Sequence, residues 1–113
     1  MIDYKPTLKS NLETLGLPVY YELFVNGSTP TPCITYIEAG NYADLEGDTL
    51  LYSRLSYNIK LWGKRLGELT PYLDKIDKVM RKQGFKRTSY NELSYGAEQL
   101  ELILGYQAMG YEN

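Results

Sequence analysis

The most regular stretch of the chain runs from residue 50 to residue 62 and has the sequence Leu50-Leu51-Tyr52-Ser53-Arg54-Leu55-Ser56-Tyr57-Asn58-Ile59-Lys60-Leu61-Trp62. Successive side chains of a strand point to opposite faces. One face carries the apolar row Leu51, Leu55, Tyr57, Ile59 and Leu61; the other carries Tyr52, Arg54, Ser56, Asn58 and Lys60. An alternation this long predicts an antiparallel strand with one face in the core and the other in solvent.

An amphipathic helix is predicted over residues 6–15, well before this strand. Leu8, Leu12 and Leu15 recur at the spacing of one helical face. Gly16 and Pro18 follow, and both residue types are common just after a helix ends.

The main helix is predicted directly after the long strand. Its apolar positions alternate by three and four and are Leu66, Leu69, Leu73, Ile76, Val79 and Met80. Thr70 before Pro71 matches an N-cap followed by the first helical position, so we expect regular helix from there. Asp74 and Asp77 would then lie early, where the helix dipole favours acids, and Gly84 would terminate the helix.

Four further strands are predicted from runs of β-branched, aromatic or alternating residues: 19–25, 33–39, 85–90 and 98–109. The connections are a loop at 26–32, a polar hairpin arm at 40–49 and a segment at 91–97. The element order is α-β-β-β-α-β-β. We therefore expect one α+β domain over residues 1–113, with a mostly antiparallel sheet of four to five strands and two helices packed on one face.

Composition narrows the chemistry that the chain can perform. Its 113 residues contain twelve tyrosines, no histidine and one cysteine, Cys33, and the net charge is −2. Lack of histidine removes the commonest general base and zinc ligand, and one cysteine allows no internal disulfide. No phosphate-binding glycine loop is present. We expect no catalytic residues, cofactor or metal, no signal peptide and no membrane span.

Two acidic groups are the remaining catalytic candidates. Asp74 and Asp77 lie one helical turn apart, which favours a solvated helix surface over a carboxylate pair. Glu38, Asp44, Glu46 and Asp48 surround the hairpin arm without the spacing of a calcium loop, and a polar hairpin explains them better.

A basic cluster suggests a different class of function. It comprises Lys78, Arg81, Lys82, Lys86 and Arg87. Clustered cations can neutralise phosphates, so a small nucleic-acid-binding module is an alternative. The acidic net charge and the lack of an RNA-binding motif favour the simpler explanation, cations at a helix C-terminus and on the next strand.

Aromatic and arginine side chains on the polar face of the long strand indicate a protein interface. Tyr52, Arg54 and Trp62 are of the types that dominate interface energetics. With the residues of the arm they form the predicted subunit or tube interface, which is Tyr42, Asp44, Glu46, Asp48, Tyr52, Arg54 and Trp62.

Four stretches of the sequence resemble the tail terminator, or tail completion, proteins of long-tailed bacteriophages. They are the first helix ended by Gly16-Leu17-Pro18, the strand entry at 30–36, the strand 54–62 that leads into a helix, and the helix exit Gly84-Phe85-Lys86-Arg87. All four are patterns of proline, aromatics and alternation rather than chemical signatures.

The resemblance implies a virion protein at the head-proximal end of the tail, assembled in the host cytoplasm. Members of the family form a six-membered ring that caps the tail tube, stops its polymerisation and offers a docking surface to the head connector. The implied partners are therefore further copies of the chain, the tail tube protein and head–tail connector proteins, with DNA only as passing cargo. The loop 26–32 and the hairpin arm are the projecting segments expected to make these contacts, and an acidic arm would repel DNA.

Other structural roles remain open on the same pattern. The chain could be another neck or minor tail component of a phage or of a phage-like particle. An enzyme is the least favoured class, for want of catalytic groups.

Overall fold

The computed structural model describes residues 4–21, 25–26, 28–46, 49–96 and 99–111, with backbone only for 41–46, 49–54 and 109–111. In chain order the elements are α1 (Lys5–Glu13), β1 (Val19–Tyr21), β2 (Cys33–Glu46), β3 (Thr49–Gly63), α2 (Leu66–Lys82), β4 (Lys86–Ser94) and β5 (Leu100–Tyr111). This order confirms the predicted α-β-β-β-α-β-β arrangement and the α+β class.

All five strands form one mixed sheet in the order β1-β2-β3-β5-β4. The pairs β2–β3, β3–β5 and β4–β5 are antiparallel, whereas β1 runs parallel to β2. Because β3 lies at the centre with a strand on each side, its apolar row is well placed to anchor the core. The molecule measures 53 by 22 by 21 Å, and its long dimension reflects the length of β2 and β3.

Both helices pack on the same face of the sheet. Leu8 and Leu12 of α1 and Ile76 of α2 are fully buried in one apolar cluster. The sheet residues of this cluster are Val19, Ile34, Tyr36, Leu55, Tyr57, Ile59, Leu61, Leu102, Leu104 and Tyr106. The alternation of β3 thus identified the core-facing residues from Leu55 to Leu61 correctly, while the side chain of Leu51 lies outside the description.

The start of α2 differs from the prediction. The helix begins at Leu66, after the extended backbone of Arg65, and Pro71 lies inside it. Thr70 is therefore not an N-cap; its hydroxyl donates to the carbonyl oxygen of Leu66 at 2.7 Å. A proline within the second turn removes one backbone donor, but the helix continues because Leu69 and later apolar residues are buried against the sheet.

This earlier start also corrects the placement of the two aspartates. Asp74 and Asp77 lie in the middle of α2, and Glu68 is the acid of its first turn. Their stabilisation therefore comes from ion pairs with Lys78 and Arg87 rather than from the helix N-terminus.

Gly84 ends α2 as predicted, with a positive φ of 87°. The amide of Phe85 donates to the carbonyl of Met80 at 3.0 Å, and the amide of Gly84 donates to that of Arg81 at 3.0 Å. These two bonds form a Schellman motif, which closes the helix and turns the chain into β4.

The bounds of all five strands differ from those expected, by only one residue at each end for β3. Of the predicted strand 19–25, the structure assigns Val19–Tyr21 to β1; Val25 belongs to no strand, and 22–24 lie outside the described residues. β2 continues through the first half of the hairpin arm to Glu46, so most of the arm is strand rather than an irregular connection. β4 continues to Ser94, four residues past its expected end, because it remains paired with β5 along its length. β5 starts at Leu100 and ends at Tyr111; Glu98 lies outside the described residues.

Neither described helix combines the length and apolar character that crossing a lipid bilayer requires.

Candidate interaction surface

Trp62 lies on the face of the sheet opposite the helices, as the alternation predicted, but it is only 3% exposed. It packs in a second, smaller apolar cluster with Val25 and Cys33, and Tyr20 flanks them. Its indole nitrogen donates to the hydroxyl of Thr35 at 2.9 Å. An indole covered in this way has little surface to offer a partner, so we remove Trp62 from the predicted interface.

The other predicted interface residues belong to the outer part of the β2–β3 hairpin. Tyr42 pairs with Arg54, Asp44 with Tyr52, and Glu46 with Thr49 in the backbone register. Only the backbone of these residues is described, and Asp48 lies outside the described residues. The register brings Tyr42, Asp44, Tyr52 and Arg54 onto two neighbouring strands, whereas their part in an interface stays a prediction.

β4 was predicted as a strand, but the sequence analysis missed the exposure of its side chains. Every one of its nine side chains is exposed, although the strand is hydrogen-bonded to β5 along its length. It forms one edge of the sheet, and among the described residues no strand pairs with its outer side. The sequence signal was present in Lys86–Ser94, where only Tyr90 and Leu93 are large and apolar, too few to build a buried face.

The opposite edge of the sheet is built differently. β1 contributes only three residues and covers β2 from Ile34 to Tyr36. Within the described part of the chain, no strand covers the outer side of β1 or of β2 beyond Tyr36. Tyr21, at the end of β1, is exposed and makes an edge-to-face contact with Tyr36. Edge strands with free backbone groups are sites where another chain can pair.

The basic cluster does assemble at one corner, where the end of α2 meets the start of β4. All five of its side chains are exposed. Two of them have acidic partners: Lys78 lies 3.3 Å from Asp74, and Arg87 lies 3.2 Å from Asp77. The cations are therefore partly neutralised within the chain.

Asp77 also accepts a hydrogen bond from the hydroxyl of Tyr106. Burial, and after it this hydrogen bond, raises the pKa of Tyr106 above its ordinary value. A tyrosine held protonated by a carboxylate acts as a donor that positions structure, and Asp77 thereby connects α2, β4 and β5.

A buried carboxylate lies on the face of the sheet away from the helices. Glu101 is 2% exposed and lies 3.5 Å from the ammonium group of Lys60. The hydroxyl of Tyr95 donates to Glu101 at 2.9 Å, and this hydrogen bond is the main reason that the pKa of Tyr95 is raised. The Tyr95 ring stacks on Trp62 at 6.1 Å between centroids. Through these contacts, Tyr95 and Glu101 hold the turn between β4 and β5 against Trp62 at the end of β3.

Beside it lies a polar hollow of about 520 Å³, lined mainly by the loop that precedes β2, together with Gly63, Lys64, Tyr95 and Gln99. Its lining supplies hydroxyl, amide and ammonium groups but no carboxylate. No group of three potential metal ligands occurs in the parts of the chain that the structure describes. The exposed edges of the sheet, β4 and β1, are the candidate interaction surfaces among the described residues.

No protein-family model matches this chain, and no curated protein matches it.

Proposed function

We propose that the chain is a structural subunit of a bacteriophage tail, of the tail terminator kind. In this role it caps the head-proximal end of the tail tube, stops tube polymerisation and provides the docking surface for the head connector. The observation that supports this best is the shape of the sheet, in which the β2–β3 hairpin extends well beyond the level at which β4 begins.

The strand registers give the extent of this projection. Lys86, the first residue of β4, pairs with Gln107, Gln107 with Ser56, and Ser56 with Gly40. Beyond that level the β2–β3 hairpin pairs only with itself and with the end of β5. Six further residues of β2 reach Glu46, which corresponds to about 20 Å of strand. Such a segment can contact a neighbouring assembly without disturbing the core.

The two unlike edges of the sheet also suit a ring. A closed cyclic ring uses heterologous contacts, in which one surface of a subunit meets a different surface of the next. A three-residue parallel strand on one edge and a nine-residue exposed strand on the other provide two such different surfaces.

Capping of this kind proceeds by surface complementarity and involves no turnover. The hairpin arm, residues 40–49, contains Asp44, Glu46 and Asp48 and no basic residue. Like charges repel, so an arm that faces the channel disfavours contact with the phosphates of passing DNA.

Electron microscopy of purified protein mixed with tail tubes tests the proposal. We expect a ring at one end of each tube and an end to further growth there. In a shortened variant, residues 43–53 are replaced by Asn-Gly, which closes a hairpin between Tyr42 and Arg54. That variant is expected to fold but not to cap. Lys9→Glu on the exposed surface of α1 is the matched control and should cap normally.

Tail tubes that continue to grow in the presence of the unaltered protein would contradict the proposed function. Capping by the shortened variant would contradict only the role of the arm. In an infected host, deletion of the gene should give overlong or unjoined tails, whereas normal tails on filled heads would rule the function out. Labelling of the protein elsewhere in the virion would favour another neck or minor tail component.

The basic cluster supports a second candidate, a nucleic-acid-binding module. Lys82 and Lys86 are exposed and lie within five residues of Arg87 along the chain. If this candidate holds, the protein retards DNA or RNA in an electrophoretic assay at low salt, and the double variant Lys82→Glu, Lys86→Glu abolishes the shift. Absence of any electrophoretic shift at low salt would rule out nucleic-acid binding as the function.

A further inference from the structure

The outer edge of β4 is the starting point. A strand whose nine side chains are all exposed adds little to the core, yet β4 stays paired with β5 from Lys86 to Ser94, with one irregularity between Arg87 and Ser89. Its outer backbone groups have no strand partner among the described residues. Unpaired edges of this length favour the addition of another strand.

The strand registers place two exposed tyrosines at opposite ends of one row across the sheet. Each residue of this tyrosine row pairs with the next, in the order Tyr21, Tyr36, Ile59, Leu104 and Tyr90. The three inner members are buried in the cluster beneath the helices, so all five project from the same face. Tyr21 is 38% exposed and Tyr90 37%, so each end of the row leaves part of an aromatic ring in solvent.

Strand direction is compatible with pairing between the two edges. β4 is antiparallel to β5, β5 to β3 and β3 to β2, and β2 is parallel to β1. β4 therefore runs opposite to β1. A rotation about an axis parallel to the strands preserves their directions, so β4 of one copy would meet β1 of the next in antiparallel orientation.

Charges of opposite sign also occupy the same level at the two edges, where each has a partner in its own chain, Asp77 for Arg87 and Lys5 for Glu38. Arg87 pairs with Tyr106, Tyr106 with Tyr57, and Tyr57 with Glu38, so Arg87 and Glu38 occupy one level at opposite edges. Lys86 lies one step further toward the hairpin arm, whose described residues include Asp44 and Glu46. The basic start of β4 in one copy would thus lie toward the hairpin-arm end of the next copy, whose sequence is acidic.

We propose that β4 of one copy pairs with β1 of a second copy, head to tail, so that Tyr90 packs against Tyr21 and the sheet continues from chain to chain. Closure of such contacts into a ring rests on the proposed function; the pairing itself stands on the edges described here. In a closed ring it pairs every β1 with the facing part of a β4 strand, whereas a two-fold contact between two β4 strands would leave both β1 edges open.

Disulfide trapping tests this pairing, with the double variant Tyr21→Cys, Tyr90→Cys. Directly opposed residues of antiparallel strands have Cβ atoms about 4.5–5.5 Å apart, close to the reach of a disulfide. Burial raises the pKa of the native Cys33 thiol to about 11, so it should not compete at neutral pH. Mild oxidation should give a ladder of covalent dimers, trimers and larger species under denaturing conditions.

The single variants and a displaced pair are the controls. Neither Tyr21→Cys nor Tyr90→Cys alone should cross-link, and Lys9→Cys with Tyr90→Cys should give no ladder because Lys9 lies on α1. Dimers from Tyr90→Cys alone would overturn the proposal in favour of a two-fold contact between β4 strands. Absence of a ladder from a folded double variant would overturn it as well.

The outcomes also separate this inference from the proposed function. A ladder from protein that leaves tail tubes uncapped supports the pairing and contradicts the terminator role. Rings that cap tubes without any cross-linking between positions 21 and 90 support the role and contradict the pairing.

Discussion

The hydroxyl of Tyr106 donates a hydrogen bond to the carboxylate of Asp77, which links β5 to α2 at the margin of the core. Arg87 contacts the second oxygen of that carboxylate at 3.2 Å. One side chain on the middle of the helix therefore holds the two last strands of the sheet in place.

Replacement of Tyr106 with phenylalanine should lower the free energy of unfolding by about 2 kcal/mol, because a hydrogen bond to a charged acceptor is lost. Urea denaturation measures the change. Tyr90→Phe is the matched control, since Tyr90 donates to Glu92 on the exposed edge. Its effect should stay within about 0.5 kcal/mol, and equal losses in the two variants would show that the Asp77 contact has no special role.

Alkaline pH should destabilise the protein partly through the same tyrosine. The folded-state pKa of Tyr106 is raised above the ordinary value of 10.0, first by burial and then by the bond to Asp77. Its contribution to stability is therefore complete below about pH 10 and declines as the pH rises beyond it. From pH 9 upward, the free energy of unfolding should fall less steeply with pH for Tyr106→Phe than for the unaltered chain. Parallel curves would contradict this assignment.

Adjacent residues of β3 should respond oppositely to the same substitution. Ile59 is fully buried, so Ile59→Asp places an unpaired carboxylate in the core and should unfold the chain, at a loss of several kcal/mol. Asn58 is half-buried on the other face, and Asn58→Asp should leave the fold intact. Circular dichroism and thermal melting distinguish the two, and similar melting of both would mean that the strand faces are misassigned.

Two glycines near α2 should respond with opposite signs to alanine. Gly84 has a positive φ, so Gly84→Ala strains the Schellman motif and should destabilise by about 1–2 kcal/mol. Gly67 lies in the first turn of α2 with open space around its Cα, so Gly67→Ala should stabilise by about 0.5–1 kcal/mol. A stabilising Gly84→Ala would contradict the described helix end.

Sequence periodicity predicted what depends on neighbours along the chain. The alternation of β3 identified the buried residues from Leu55 to Leu61, and Gly84 was recognised as the end of α2. Both follow from local geometry, the two-residue period of a strand and the conformational freedom of glycine.

What failed depends on residues distant in sequence. Trp62 was assigned to the correct face but is covered by Val25, Cys33 and Tyr20, which arrive from a loop and strands more than 25 residues earlier. The Thr70-Pro71 pair suggested a helix start, yet burial of Leu69 extends the helix to Leu66. The full length of β4 depends on its pairing with β5, which no local pattern within Lys86–Ser94 encodes.

All nine side chains of β4 are exposed, so apart from Arg87, which contacts Asp77, their identities contribute little to the packing that makes the chain fold. Most substitutions along this strand should leave the thermal stability unchanged. They should affect only the binding of a molecule that contacts the strand. β3 has no such freedom, because its core-facing residues are enclosed on both sides. An edge built in this way can change to fit a different neighbour without any refitting of the interior.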